Sequence, residues 1–180
     1  MNLMITYKGF EAGLVCRGYQ FKPHEVNVCE KAKTAREGFH SAENPFDVLR
    51  YYPDPAKSEY WMCEATGDVD EDSVDSKVSS TELRPFHNIG LHGILIHGAA
   101  EHCLRTEFRE DNHRRFRAKA EARFGYAIAV GENAMAMGAK EGDMLVVLED
   151  DGTVMLYEVG EHGTKPNVWY NARGEEVAER

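Results

Sequence analysis

No stretch of this chain approaches the run of about 18 apolar residues that a membrane-crossing helix needs, so a soluble protein with no membrane partner is expected. The opening Met1-Asn2-Leu3-Met4-Ile5 lacks the basic start and long apolar centre of a secretory signal, which points to a cytoplasmic protein. Cysteine is scarce: Cys16, Cys29, Cys63 and Cys103 are widely spaced and never form a C-x-x-C pair, which argues for reduced thiols and against a tetrahedral metal site or a redox motif. The G-x-S-x-G elbow of hydrolases, the phosphate loop G-x-x-x-x-G-K-[ST] and a G-x-G-x-x-G following a strand are also missing. Eight histidines are present without an H-E-x-x-H pattern. His92, His97 and His102 recur at a five-residue spacing that fans them around a helix axis, so no metal site is expected.

Positive charge is in short supply as well. Lys and Arg total 21 against 31 Asp and Glu, a net charge of -10. The acids cluster at Asp68, Asp70, Glu71, Asp72 and Asp75, at Glu141 and Asp143, at Glu149, Asp150 and Asp151, and near the C-terminus. Such a surface repels phosphate, so nucleic acid is not expected as a direct ligand; a basic partner is favoured instead. The exception is the stretch Arg105–Arg123, with seven basic residues against four acids. Read as a helix over Arg109–Phe124, it places Phe108, Phe116, Ala120 and Phe124 on one stripe and the arginines opposite, a face suited to a homodimer contact.

The 180 residues, 42% apolar and 10% aromatic, are enough for a sizeable core. An α+β fold is expected: a mixed or antiparallel sheet with packed helices in a core over 1–125, and a C-terminal β extension over 126–180. Leu3–Tyr7, Val15–Phe21, Gly38–Ala42 and Tyr60–Thr66 read as strands. Asp68–Asp75 reads as a loop, and Asp75–Leu83 as an edge strand ended by Pro85. Asn44 caps a short helix with Pro45 at its first position and Phe46, Leu49 and Tyr52 on one face. A longer helix over Ile89–Leu104 contains Gly90, Gly93 and Gly98, a cost that implies close packing on a neighbouring element. Gly125–Ala139 has small residues at alternate positions, similar to a rung of a β-solenoid. It leads into a hairpin, Met144–Leu148 and Thr153–Val159, whose Asp151-Gly152 signals a type I′ turn.

Four blocks, Tyr7-Lys8-Gly9-Phe10, Cys16-Arg17-Gly18-Tyr19-Gln20-Phe21, Gly38–Tyr52 and Ser76–Thr81, resemble the hallmark blocks of an uncharacterised family of small phage and prophage proteins, and imply a phage or prophage origin. Gly38-Phe39-His40-Ser41-Ala42, the helix ending at Tyr51-Tyr52, and Met62–Asp68 are also similar to the strand, helix and strand around the nicotinamide pocket of ADP-ribosyltransferases. That resemblance implies NAD as cofactor, Tyr7 or Lys8 at the first-strand position, His40 and Tyr52 near the nicotinamide, and Glu82 as the carboxylate that stabilises the oxocarbenium-like centre. Arg17 is a separate candidate, either for an anion or for a neighbouring carboxylate.

Three functional expectations follow. The first is a phage-encoded acidic protein without catalysis or cofactor. By DNA mimicry, as an anti-CRISPR does, it would block a basic, nucleic-acid-binding host defence complex, using Asp68, Asp70, Glu71, Asp72, Asp75, Glu149, Asp150 and Asp151. The second is a mono-ADP-ribosyltransferase-like enzyme acting on a host protein through His40, Tyr52 and Glu82. The third is a minor structural protein of the virion.

Overall fold

A computed structural model describes residues 3–33, 37–71 and 76–178. The fold is α+β and divides into two units, Met1–Gly98 and Ala99–Arg180, each with its own apolar cluster.

In the first unit, β1 (Met4–Glu11) runs antiparallel to the first half of the long strand β6 (Ser58–Glu71), from Met4↔Ala65 to Glu11↔Ser58. β6 also pairs antiparallel with β7 (Lys77–Asn88), which carries β4 (Asn27–Val28) and β5 (Phe39–Ala42) on its other side. β5 then meets β1 through one pair, Tyr7↔Ala42. The four strands β1, β6, β7 and β5 therefore form a closed circuit of antiparallel pairings whose closure is one residue pair long.

Two expectations are corrected in this unit. β7 is not an edge strand ending at Pro85: it is paired on both sides and runs through the proline, which faces Cys63 at a register shift in the ladder. A residue without an N–H is tolerated where the ladder is already irregular. The segment after Gly67 is strand as far as Glu71, not loop, because Val69, Asp70 and Glu71 pair with Ser80, Ser79 and Val78.

The helix α1 (Pro45–Tyr51) forms as its residues dictate. The Asn44 side chain accepts from the Phe46 N–H at 3.1 Å, Pro45 supplies a preset φ, and Phe46 and Leu49 are buried. The helix α2 (Gly90–Leu104) explains one of its glycines: a Cβ on Gly98 would lie 2.3 to 2.7 Å from the Phe46 ring. His97, on the same helix, contacts the Tyr7 hydroxyl through Nδ1 at 3.1 Å, while His92 is exposed.

In the second unit α3 spans only Thr106–Arg115, which shortens the helix expected over Arg109–Phe124. From Arg117 to Arg123 charged residues alternate with alanines, a period of two that suits a strand. Lys119–Glu121 is indeed strand β8, with Ala120 and Ala122 against the core. The arginines are also not one face: Arg109 donates to the Cys103 carbonyl at the end of α2, at 3.0 Å, and Arg114 and Arg115 pair with Asp111.

β8 pairs in parallel with β10 (Met135–Met137), and β9 (Tyr126–Val130) in parallel with β11 (Met144–Leu148). The chain thus coils through two solenoid-like rungs. Small inward residues, Ala127, Ala129, Ala134 and Ala136, fill the space between the two sheets together with Leu145, Val147, Met155 and Tyr170. β12 (Val154–Glu158) completes the expected hairpin with β11, and β13 (Trp169–Asn171) and β14 (Glu176–Val177) extend the sheet of β8 and β10. The turn is not type I′. Gly152 alone has positive φ in it, and the hydrogen bonds Gly152 N–H to Glu149 O and Glu149 N–H to Thr153 O describe a type I turn with a glycine bulge.

His102 at the C-terminal end of α2 is 1% exposed, with Nδ1 3.2 Å from the Asn112 amide nitrogen and Nε2 without a partner among the described residues. Burial, then Arg109 and His113, push its pKa down to about 4, against a smaller pull from Asp150. The neutral ring is the folded-state form, so its contribution is intact above the ordinary imidazole pKa and is lost as pH falls through about 4. We expect His102→Gln to remove roughly 3 kcal/mol of the acid destabilisation between pH 6.5 and 4, measured as denaturant midpoints against the parent chain. Parallel pH profiles for the two proteins would contradict it.

Candidate functional site

Past the single pair Tyr7↔Ala42, β1 and β5 part, and a cleft of about 610 Å³ opens between them. Its far end is the hairpin of β2 (Val15–Cys16) and β3 (Tyr19–Gln20), and one wall is α1. The sequence reads Val15–Phe21 as one strand, but Arg17 and Gly18 both have positive φ, 50° and 79°, which makes them the centre of a two-residue type I′ turn. That turn folds the segment back and presents Arg17 at the mouth of the cleft.

Lys8 lies at the cleft floor, 5% exposed, and its ammonium donates across the gap to the His40 carbonyl at 2.6 Å, where a continued ladder would have placed backbone pairs. Its other contacts are the Cys16 sulfur at 3.6 Å and the rings of Phe10 and Phe21, 5.3 and 5.6 Å from Nζ. Among the described residues no carboxylate pairs with it. Taking an ammonium out of water costs several kcal/mol. A charge-assisted hydrogen bond returns about 1.5–3 kcal/mol, and each ring face about 1 or less. Burial accordingly holds the Lys8 pKa below the ordinary lysine value, with Cys16 opposing and Arg17 adding to the effect.

Around Lys8 stand His40, Tyr52, Cys16, Arg17 and Lys77. Burial, then the cations Lys8, Arg17 and Lys77, lower the His40 pKa, so its imidazole is neutral near pH 7, and its Nε2 finds no hydrogen-bond partner among the described residues. Tyr52 lies flat against Gly9, where a Cβ would come within 2.3 Å of the ring. Its hydroxyl donates to the Cys16 sulfur at 3.2 Å, and burial raises its pKa, so it stays protonated. Of the carboxylates in the lining, Asp47 accepts from the Ser76 hydroxyl at 2.5 Å, and Glu11 is exposed. Arg17 has no carboxylate partner among the described residues, which favours the anion-binding reading of that side chain.

The cleft brings together Tyr7, Lys8, His40 and Tyr52, all expected from the resemblance to ADP-ribosyltransferases. It does not include Glu82, which lies on β7 facing Thr66 and accepts from that hydroxyl at 2.8 Å. Cys16, Arg17 and Lys77 have no chemical motif in the sequence, yet each falls within a block that carries the phage-family resemblance. Of the proposed partner-binding acids, Asp68, Asp70 and Glu71 are exposed at the end of β6, and Asp72 and Asp75 lie outside the described residues. Glu149 opens the hairpin turn, Asp150 contacts His113 Nε2 at 2.5 Å, and Asp151 accepts from the Thr153 N–H at 2.8 Å. No helix among the described residues is long and apolar enough to cross a membrane.

These features define an α+β domain whose incompletely closed strand circuit leaves a cation-lined cleft. The chain belongs to the family described as a domain of unknown function (DUF7666), whose profile matches residues 4–97 and so contains every residue of the cleft. No curated protein and no solved structure matches the chain.

Proposed function

We propose that this DUF7666 unit binds a small anionic ligand with a flat ring in the cleft between β1 and β5. The observation that carries the reading is the charge of the lining: Lys8, Arg17 and Lys77 converge there, and neither Lys8 nor Arg17 has a carboxylate partner among the described residues. Tyr19, Tyr51 and Tyr52 offer ring faces, and the neutral His40 offers a hydrogen-bonding nitrogen. A nucleotide combines these features, and NAD is one such ligand, in keeping with the resemblance to the ADP-ribosyltransferase pocket. Calorimetric titration with AMP, NAD and uncharged adenosine tests it. AMP should bind at least tenfold more tightly than adenosine, and Arg17→Ala should weaken AMP several-fold, the range for an exposed charge-assisted contact. Absence of saturable binding by both anions at millimolar concentration would refute it.

A second reading is favoured by the exposed carboxylates Asp68, Asp70 and Glu71. In a phage-derived protein they would engage the basic groove of a host nucleic-acid-binding defence complex by DNA mimicry. Association of that kind weakens steeply with salt, because several exposed ion pairs are screened together. Replacing the three acids with amides should abolish capture of such a complex at low salt, and unchanged capture would dismiss the role.

A further inference from the structure

We propose that Lys8 is a nucleophilic amine that condenses with an aldehyde or ketone bearing a negative charge, so that the cleft captures its ligand as a Schiff base. The inference rests on the binding reading above and adds the chemical class of the ligand.

A lysine becomes a nucleophile when its surroundings favour the neutral amine and a carbonyl carbon can reach it. On the first condition, position raises the share of neutral amine at Lys8. Lys8 is 5% exposed, is flanked by Phe10 and Phe21, has no carboxylate among the described residues to hold it charged, and has the cation Arg17 nearby. Burial moves its pKa in the same direction. The second is met by the cleft, which Lys8 lines from below while Arg17 stands at the mouth and Lys77 on the wall, places for a carboxylate or phosphate on the same molecule. The hydrogen bond to the His40 carbonyl fixes Nζ without neutralising a charge, and it is compatible with an amine as donor.

The chemistry balances without an oxidant or reductant. The Nζ lone pair adds to the carbonyl carbon and forms a C–N bond, while an amine proton passes to the carbonyl oxygen. The resulting carbinolamine then loses its hydroxyl together with the remaining N–H proton as water, leaving a C=N bond between Lys8 and the ligand. The Tyr52 hydroxyl lines the same cleft and, like the Lys8 amine, contacts the Cys16 sulfur, a place from which it can hydrogen-bond the ligand.

Pyridoxal 5′-phosphate, an anionic aromatic aldehyde, is the probe. The full chain is incubated with one equivalent at pH 7, reduced with cyanoborohydride, and mapped by peptide mass spectrometry. The expected result is one dominant adduct on Lys8, formed at least tenfold faster than on the exposed Lys57 or Lys165, suppressed by AMP and missing from Lys8→Arg. The parent chain alone decides the matter, so the test does not depend on the variant folding. Adducts spread over exposed lysines with Lys8 unmodified would overturn the inference. AMP binding that persists alongside such a pattern leaves the binding reading intact; loss of both removes the two together.

Discussion

Lys8→Met should bind AMP at least tenfold more weakly than the parent chain and yet unfold at higher denaturant. The two effects have one cause. Lys8 is a buried cation without a carboxylate partner among the described residues, so the folded state carries a desolvation cost that the His40 carbonyl and the two ring faces offset only in part. Methionine keeps the length and most of the volume, and removes the charge. It also leaves the His40 carbonyl without its donor, which costs about 1–3 kcal/mol. Together with the hydrogen bond and ring contacts that Lys8 gives up, that offset still falls short of the several kcal/mol of the buried ammonium, so a net gain on the order of 1 kcal/mol at most is expected at pH 7. Lysine 8 also titrates in the direction that makes this gain pH-dependent. Its pKa is lowered on folding, so the parent chain recovers stability as pH rises from neutral toward the unfolded lysine value of 10.5, and the advantage of methionine should shrink over that range. Equal or lower stability of Lys8→Met at pH 7 would mean that the ammonium is already compensated in the free protein, and weak binding could then not be traced to it.

The second large effect is at Gly98. Alanine there gains about 1 kcal/mol of helix propensity, but its Cβ would sit 2.3 to 2.7 Å from ring carbons of Phe46, which is 1% exposed. Overpacking of this kind costs about 1–3 kcal/mol, so Gly98→Ala should destabilise the chain. Phe46→Ala alone should cost about 3–5 kcal/mol through the cavity it leaves. Combined, the sign at position 98 should reverse: in the Phe46→Ala background Gly98→Ala meets no ring and should stabilise by about 1 kcal/mol. Denaturant midpoints of the four proteins form a double-mutant cycle, and additivity within about 0.5 kcal/mol would show that the two residues do not share a contact. Phe46 lies on α1, the wall of the cleft, so the same pair tests whether α1 must be seated for AMP to bind.

Much of the local structure was legible. Asn44-Pro45 signals the start of α1 from sequence alone, because a side-chain acceptor and a preset φ act within a few residues. The glycines of Ile89–Leu104 announced a close neighbour, and Gly98 on Phe46 is that neighbour. The alternating small residues after Gly125 resemble a solenoid rung, which by itself reads as a remnant leading into the hairpin; the structure goes further and pairs β8 with β10 and β9 with β11 in parallel. The helix expected to run on to Phe124 failed for an equally local reason. Two periods compete in Arg109–Arg123, and the alternation of alanine with charge from Arg117 onward is the stronger, because alanine at every second position fills the narrow space between two sheets. The type I′ assignment at Asp151-Gly152 went astray because one glycine supplies only one positive φ, and a bulge needs no more.

The candidate site divides the same way. His40 and Tyr52 could be named from a block of sequence because strand and helix adjoin in the chain, whereas Glu82 could not be placed without knowing which neighbour β7 turns it toward, and that is Thr66. The amino-acid sequence by itself determined most of the elements, the cap of α1, the position of the C-terminal hairpin and the excess of negative charge, since each depends on interactions among residues close in the chain or on composition alone. Tertiary structure alone decided that the DUF7666 unit of this acidic protein holds a cation-lined cleft: the strand circuit closes by one pair and no more, and the gap beyond it gathers Lys8, Arg17 and Lys77 from different segments of the chain.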